Sequence, residues 1–244
     1  MEICTFGASK RMEVAAGRLS EASFAERYRR LILLPIPTTR DKKIITGTTH
    51  RLEEIIPLGK RGTLVVGYAI PDGLGEALAE GGCEIYDLSL DESFLLQNAV
   101  LTAHGVLGRL LLSEKRGILG RKIGVVGYGR IGGELVRLLL FLGADVRLFT
   151  SRKSVVSELA CSGIDAVLSE AGADVSEIEI LINTAPSALP FERELQKIPR
   201  IIELASGKNL PELESVERYP SVPEECYPIA AGEIIAKCVL KFLV

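Results

Sequence analysis

Residues 122–132 read K-I-G-V-V-G-Y-G-R-I-G, a short apolar segment that runs directly into glycines. The segment Ile123–Val126 is typical of a buried strand, and Ile131–Leu142 places apolar side chains on one face of a helix. The glycines between them have the G-x-G-x-x-G spacing of a dinucleotide-binding loop: Gly127, Gly129 and Gly132. The order of strand, glycines and helix predicts a nucleotide-binding domain of the Rossmann type.

Each glycine of such a loop has its own physical role. The first allows a tight turn, the second lets a pyrophosphate approach the backbone at a helix N-terminus, and the third lets the helix pack close to the strand. We therefore predict a pyrophosphate site on the segment made of Gly127, Tyr128, Gly129, Arg130, Ile131 and Gly132. The alternative is a glycine-rich turn without a ligand. A helix stop at Gly143 and a following strand at Asp145–Phe149 favour the binding site.

The end of the second predicted strand indicates which dinucleotide binds. Sites that prefer NAD place Asp or Glu there, about 20 residues after the glycines, to bind the ribose 2′-hydroxyl. This chain has T-S-R-K-S at residues 150–154 instead. A carboxylate would repel a 2′-phosphate, whereas Ser151, Arg152 and Lys153 can bind one. We predict NADP(H) as the cofactor, the alternative being solvated surface charges beside an ordinary strand end.

The composition is that of a globular protein without a nucleic-acid footprint. The chain has 244 residues, 47% of them hydrophobic and 25% charged, with a net charge of −3. That balance predicts no nucleic-acid partner and no membrane partner. Five cysteines, an odd number without C-x-x-C spacing, and two histidines favour reduced thiols and no metal site. No signal peptide is visible at the N-terminus, so we expect a cytoplasmic protein.

Alternating strand and helix patterns predict an α/β fold of two domains, each an open, mostly parallel sheet with flanking helices. We assign 1–100 to a substrate-side domain, 101–117 to a connecting helix and 118–229 to the Rossmann NADP-binding domain. Residues 230–244 form a C-terminal helix, which we expect to cross back onto the first domain. Its apolar stripe includes Phe242, which we expect to be buried.

Candidate catalytic residues follow later strands or open the connecting helix. Asn183 can offer a donor and an acceptor to the nicotinamide or to a substrate carboxylate, with Thr184 and Pro186 beside the cofactor; the alternative is a turn in which Asn183 bonds its own backbone. Lys208 either pairs with a substrate carboxylate or is a surface lysine. Thr102 and His104 either hold a carboxylate and move a proton, or cap a helix.

Several motifs together resemble the dipicolinate synthase A family, within the D-2-hydroxyacid dehydrogenase-like superfamily. They are the glycine loop and the segments L-I-L-L-P-I-P at 31–37, N-A-V-L-T-A-H-G at 98–105, N-T-A-P-S at 183–187, I-I-E-L-A-S-G at 201–207 and V-P-E-E-C-Y-P-I-A-A-G at 222–232. The resemblance implies an NADP(H)-dependent oxidation of a dihydrodipicolinate-like cyclic dicarboxylic acid. It also implies that the partner is a second, flavoprotein-like synthase subunit. We further expect a homo-oligomer.

The chain departs from the family pattern at two places. The T-A-x-G motif favours an acidic residue where this chain has His104. The final loop of the family reads L-P-G-x-x-A-P-K-T-A-G, whereas this chain has Glu224 in place of the glycine and Ile229 in place of the lysine. Loss of a cation would weaken binding of a dicarboxylate. A non-catalytic NADP(H)-binding subunit or sensor that needs a partner chain is therefore the alternative function.

Overall fold

The computed structural model of the protein describes residues 2–22, 27–205 and 210–243. The chain divides into two units. The first unit consists of Met1–Asn98 together with Pro223–Val244, and the second unit is Ala99–Val222. The predicted α/β fold of two parallel-sheet domains is confirmed.

The first unit is built on a parallel sheet of four strands in the order β1-β2-β3-β4. The strands are β1 Glu2–Thr5, β2 Arg30–Leu33, β3 Thr63–Gly67 and β4 Glu84–Asp87. Two helices follow strands of this sheet: α1 Lys10–Ser20 and α2 Asp72–Glu80. A 3-10 helix at Leu52–Leu58 precedes β3, and Pro57 inside it has no amide hydrogen for a regular α-helical bond.

The second unit holds a parallel sheet of six strands in the order β10-β9-β8-β5-β6-β7. Its strands are β5 Lys122–Val126, β6 Asp145–Thr150, β7 Asp165–Leu168, β8 Ile180–Asn183, β9 Arg200–Glu203 and β10 Val216–Arg218. Its helices include α4 Arg130–Phe141 and α5 Lys153–Cys161. The strand order reverses between β5 and β8, and open α/β sheets bind ligands at the carboxyl ends of the strands beside such a reversal.

The connecting helix is longer than the sequence indicates. Helix α3 runs from Glu92 to Ser113, and the chain passes from the first unit into the second within it. The expected start at Thr102 is wrong, because the Asp91 side chain caps the helix by accepting a hydrogen bond from Phe94 N at 3.0 Å. By length and composition α3 could also cross a membrane, a weak criterion that core helices of soluble proteins meet as well.

The C-terminal segment forms two helices, α6 Val222–Cys226 and α7 Pro228–Leu243. Helix α7 packs against α1 within the first unit. The two helices approach closely at Gly232, where an added Cβ would lie 2.5 Å from Arg11 O. The buried residues of α7 share a core with the first sheet, and they include Ile235, Cys238 and Val239.

Phe242 is less buried than its place in the apolar stripe suggests. Its side chain is 39% exposed and stacks on Tyr86 with ring centroids 4.5 Å apart. We expect Phe242→Ala to lower the free energy of unfolding by only about 1 kcal/mol, since mainly the ring pair is lost. Urea unfolding provides the test, with Ile235→Ala as the matched control. Ile235 is fully buried, so its truncation should cost about 3 kcal/mol. Equal losses in the two variants would contradict this assignment.

Candidate nucleotide-binding site

The glycine loop of the second unit forms a sharp turn between β5 and α4. Gly127 has a φ of +91°, a left-handed conformation that disfavours any side chain, and its N–H donates to Phe149 O at 2.8 Å. Gly129 is the N-cap residue of α4, and no side chain caps the helix there. The first regular bond of the helix runs from Gly133 N to Gly129 O at 2.9 Å. Gly129 has no side chain that could cap α4, and the positive end of the helix dipole lies at this loop.

The space around each glycine shows which glycines the packing of the loop requires and which one leaves room for a ligand. A Cβ added at Gly132 would lie 2.0 Å from Gly127 O, and one added at Gly127 would lie 2.8 Å from Thr184 Oγ1. Gly129 is exposed, and a Cβ there would meet no atom of the described residues within 4 Å, apart from its own chain neighbours and helix backbone. Gly127 and Gly132 are thus required by the fold, whereas Gly129 borders open space at the helix N-terminus. That arrangement fits a pyrophosphate.

Two of the other loop residues shape the same turn. Tyr128 is half-buried, and its ring lies 3.7 Å from the position of a Cβ on Gly133. Ile131, also half-buried, sits in the first turn of α4, beside Arg130 on the exposed side. The residues of the predicted pyrophosphate-binding segment thus form the turn between β5 and α4 and the first turn of that helix.

Thr184, directly after the neighbouring strand β8, stabilises the loop with two hydrogen bonds. Its Oγ1 donates to Val126 O at 2.8 Å, and its backbone N–H donates to the same carbonyl at 3.0 Å. It follows β8 directly, so these bonds tie the end of β8 to the end of β5. Pro186 lies two residues further on and is exposed. Thr184 therefore helps to fix the shape of the glycine loop.

The end of β6 presents cations and hydroxyls beside the glycine loop. Thr150 is buried, and Ser151, Arg152 and Lys153 are exposed. The guanidinium of Arg152 donates a hydrogen bond from Nη2 to the Tyr128 carbonyl, which places it at the edge of the loop. None of these residues is acidic. The end of β6 therefore offers cations and hydroxyls, and no carboxylate, at the edge of the loop.

The side chain of Asn183 is turned into the protein. Its side chain is fully buried at the end of β8, with Oδ1 accepting from Ala185 N at 3.1 Å. Nδ2 donates to both carboxyl oxygens of Glu203, at 3.1 and 3.0 Å. The prediction that Asn183 contacts nicotinamide or substrate is wrong for this conformation, because the amide is used inside the protein. The turn that the sequence left open as the alternative is what the structure shows.

Glu203 is the residue of this site that the sequence interpretation missed. It is 2% exposed at the end of β9, opposite Asn183 in the parallel ladder, and it also accepts from Ala205 N at 2.8 Å. Burial raises its pKa above the ordinary value of a glutamate. The sequence did contain a signal for Glu203. It is the single acidic residue at the end of the apolar strand I-I-E, at the same sheet edge as Asn183.

Thr102 and His104 lie inside α3, so their predicted place at a helix start is wrong. The N–H groups of an α-helix interior are bonded within the helix and cannot hold a carboxylate. Thr102 is buried and His104 is exposed. Arg137 and, more weakly, His104 lower the pKa of Glu134, which places the imidazole near α4. His104 is thus a helix-surface residue.

The remaining candidate, Lys208, lies outside the described residues together with Ser206 and Gly207. Within residues 2–22, 27–205 and 210–243, no group of three or more His, Cys, Asp or Glu side chains could hold a metal ion. The site is therefore defined by the glycine loop, the end of β6 and the buried pair Asn183–Glu203.

Comparison with known proteins finds one relative by sequence and several solved structures of the same architecture. No protein-family profile matches the chain. Dipicolinate synthase A, one subunit of the synthase of Bacillus subtilis (strain 168), is 22% identical over 228 residues, which cover 87% of this chain and 77% of that protein. The resemblance inferred from the sequence motifs is confirmed.

Solved structures extend the likeness to the whole chain. Dipicolinate synthase A from Bacillus halodurans has a TM-score of 0.78 at 19% identity, covering 100% of this chain and 97% of that chain. A transhydrogenase from Sinorhizobium meliloti has a TM-score of 0.64 at 16% identity, covering 99% and 92%. At these identities the likeness shows the fold, a pair of parallel-sheet domains that dehydrogenase-type proteins share.

Proposed function

We propose that this chain is an NADP(H)-dependent oxidoreductase similar to dipicolinate synthase A. The observation that carries the proposal is the open space at Gly129, at the N-terminus of α4 and beside the exposed Arg152. A pyrophosphate over Gly129 would receive backbone N–H groups and the positive end of the helix dipole. When bound, the nicotinamide supplies hydride transfer, so the task of the protein is to hold and orient it.

Two sets of residues in this chain would bind the pyrophosphate and the 2′-phosphate of NADP(H). The loop from Gly127 to Gly132 would hold the pyrophosphate, and Ser151, Arg152 and Lys153 would hold the 2′-phosphate. The bonds of Thr184 to Val126 O would keep the loop in shape before the cofactor arrives. This preorganisation lowers the ordering cost of binding.

The substrate and partner proposals rest on the likeness to dipicolinate synthase A. We propose a dihydrodipicolinate-like cyclic dicarboxylic acid as substrate, held so that hydride moves in line with the nicotinamide. Because that relative is one subunit of its synthase, the likeness supports a partner of the same kind, a second synthase subunit. We also propose that the protein forms a homo-oligomer and is located in the cytoplasm.

One observation favours a second candidate function, in which the chain binds NADP(H) without catalysing a reaction. Asn183 and Glu203 end adjacent strands near the cofactor loop, where a catalytic amide and acid would be useful. Both are buried and bonded to each other. A turnover assay with the partner subunit separates the two functions, since only the enzyme consumes NADP(H) in step with substrate.

The cofactor preference gives a quantitative prediction. We expect NADPH to bind roughly tenfold or more tightly than NADH, because charge-assisted bonds to the 2′-phosphate contribute on the order of 1.5–3 kcal/mol. Arg152→Ala should remove most of that difference without changing NADH affinity. Isothermal titration calorimetry of both cofactors measures it.

The matched control for this experiment is Arg137→Ala. Arg137 is an exposed arginine of α4 that pairs with Glu134, so its loss changes the net charge equally but leaves the loop intact. The control should keep the parent preference. Equal affinity of the parent protein for NADPH and NADH would refute the choice of cofactor.

A further inference from the structure

A buried arginine in the first unit holds a carboxylate of the same chain. Arg11 is the second residue of α1, and its side chain is only 6% exposed. Its Nη2 donates to the carbonyl of Ile36, in the loop that follows β2. Burial lowers the pKa of the guanidinium, opposed by the nearby Glu224 carboxylate. A buried guanidinium of this kind requires an anionic partner.

Glu224 supplies that anion from α6, far away in the sequence. Its Oε2 accepts a hydrogen bond from Ser9 Oγ at 2.8 Å and lies 2.8 Å from Arg11 Nε. Its Oε1 lies 3.5 Å from the backbone nitrogen of Arg11. Ser9 is the N-cap residue of α1, an 11-residue helix. A hydroxyl, a helix N-terminal amide and a guanidinium thus converge on one carboxylate.

Glu224 does not satisfy this site completely. Arg11 Nε is buried, and although Glu224 Oε2 is close, its N–H makes no hydrogen bond of acceptable geometry. The bond from the helix N-terminus is at the long limit of 3.5 Å. The Glu224 side chain is 23% exposed, so the carboxylate borders solvent. A small anion that enters from solvent can compete for the same donors.

We propose that the N-terminal end of α1 is a carboxylate-binding site and that Glu224 occupies it as an internal competitor. The ligand class is a small carboxylate whose anionic group replaces that of Glu224 on Ser9 and Arg11. The proposal concerns the first unit alone and does not depend on cofactor binding by the second. Its consequence is that Glu224 sets the carboxylate affinity of this site.

The test removes the internal competitor and offers an external one. Equilibrium dialysis with radiolabelled acetate, at constant ionic strength held with chloride, compares the parent chain with Glu224→Ala. We expect Glu224→Ala to bind acetate at least about tenfold more tightly, because the donors on Ser9 and Arg11 become available. The added change Arg11→Met should abolish the gain. Glu225→Ala, which removes an exposed neighbouring acid, should behave like the parent chain.

Thermal unfolding gives a second readout of the same site. Without its anionic partner the buried guanidinium destabilises the fold, so Glu224→Ala should melt at a lower temperature than the parent. Acetate, but not chloride, should raise the melting temperature of Glu224→Ala in proportion to ln(1 + [L]/Kd), and the same rise in the parent should need at least about tenfold more acetate.

A neutral isostere keeps the proposal testable if Glu224→Ala fails to fold. Glu224→Gln preserves the volume and the bond from Ser9 but removes the charge, so its acetate affinity should still exceed that of the parent. Parent-like acetate binding in Glu224→Gln, or acetate binding by Glu224→Ala that survives Arg11→Met, would overturn the proposal. NADPH titration of the same variants should give parent affinity. A failure of the carboxylate site is therefore distinguishable from a failure of cofactor binding.

Discussion

Replacing Gly129 with valine is expected to abolish measurable NADPH binding while the second unit remains folded. Gly129 has extended backbone angles, φ −93° and ψ −162°, which valine adopts readily, and outside its own helix and chain neighbours no atom of the described residues lies within 4 Å of the new Cβ. The branched side chain would stand where the pyrophosphate meets the helix N-terminus. Loss of two charge-assisted bonds, about 3 kcal/mol, alone weakens the affinity roughly 100-fold, and exclusion of the pyrophosphate by the side chain removes the remaining binding. Titration calorimetry measures the binding, and circular dichroism checks the fold.

The matched control is Gly132→Ala in the same loop. Its Cβ would lie 2.0 Å from Gly127 O, a backbone atom that cannot move without opening the loop. We expect a loss of unfolding free energy on the order of 3 kcal/mol. Undiminished NADPH affinity in a folded Gly129→Val protein would show that the loop is only a turn.

Replacing Asn183 with leucine is expected to destabilise the protein by about 3 kcal/mol near neutral pH. The change leaves the buried Glu203 carboxylate without its two side-chain hydrogen bonds, and Ala205 N remains as a donor. Urea unfolding measures the loss. Ile182→Val, one residue earlier in the same buried strand, is the control and should cost about 1 kcal/mol.

The destabilisation by Asn183→Leu should depend on pH. Burial already raises the pKa of Glu203 above its ordinary value of 4.5. The stability associated with a raised acid pKa is complete below the unfolded-state pKa and is lost as the pH rises through the folded-state pKa. Loss of the Asn183 hydrogen bonds raises the folded-state pKa of Glu203 further, so the deficit of the variant should grow as the pH rises above the ordinary pKa of a glutamate, whereas that of Ile182→Val should stay constant. A pH-independent loss would mean that Glu203 is neutral throughout.

The sequence predicts the conformation of the glycine loop well because its determinants are local. The turn at Gly127, the open position at Gly129 and the close contact at Gly132 each follow from the spacing of three glycines between a strand and a helix. The cations after β6 are equally local, since they directly follow a predicted strand. Such features can be predicted without knowing which strands pair with each other.

The sequence fails where the outcome depends on a distant partner or on competing signals. Asn183 faces inward because Glu203 lies opposite it on the neighbouring strand, a register that no local pattern encodes. Thr102 resembles an N-cap, but Asp91 caps the helix well before it, and the apolar run after Glu92 carries the helix through Thr102. The contact of Glu224 with Ser9 joins segments 215 residues apart.

A crystal structure of the protein grown with NADPH tests the central claim most directly. We expect the pyrophosphate over Gly129 at the N-terminus of α4, with the 2′-phosphate in contact with Ser151, Arg152 or Lys153. Nucleotide density elsewhere, or an empty glycine loop at saturating NADPH, would contradict it.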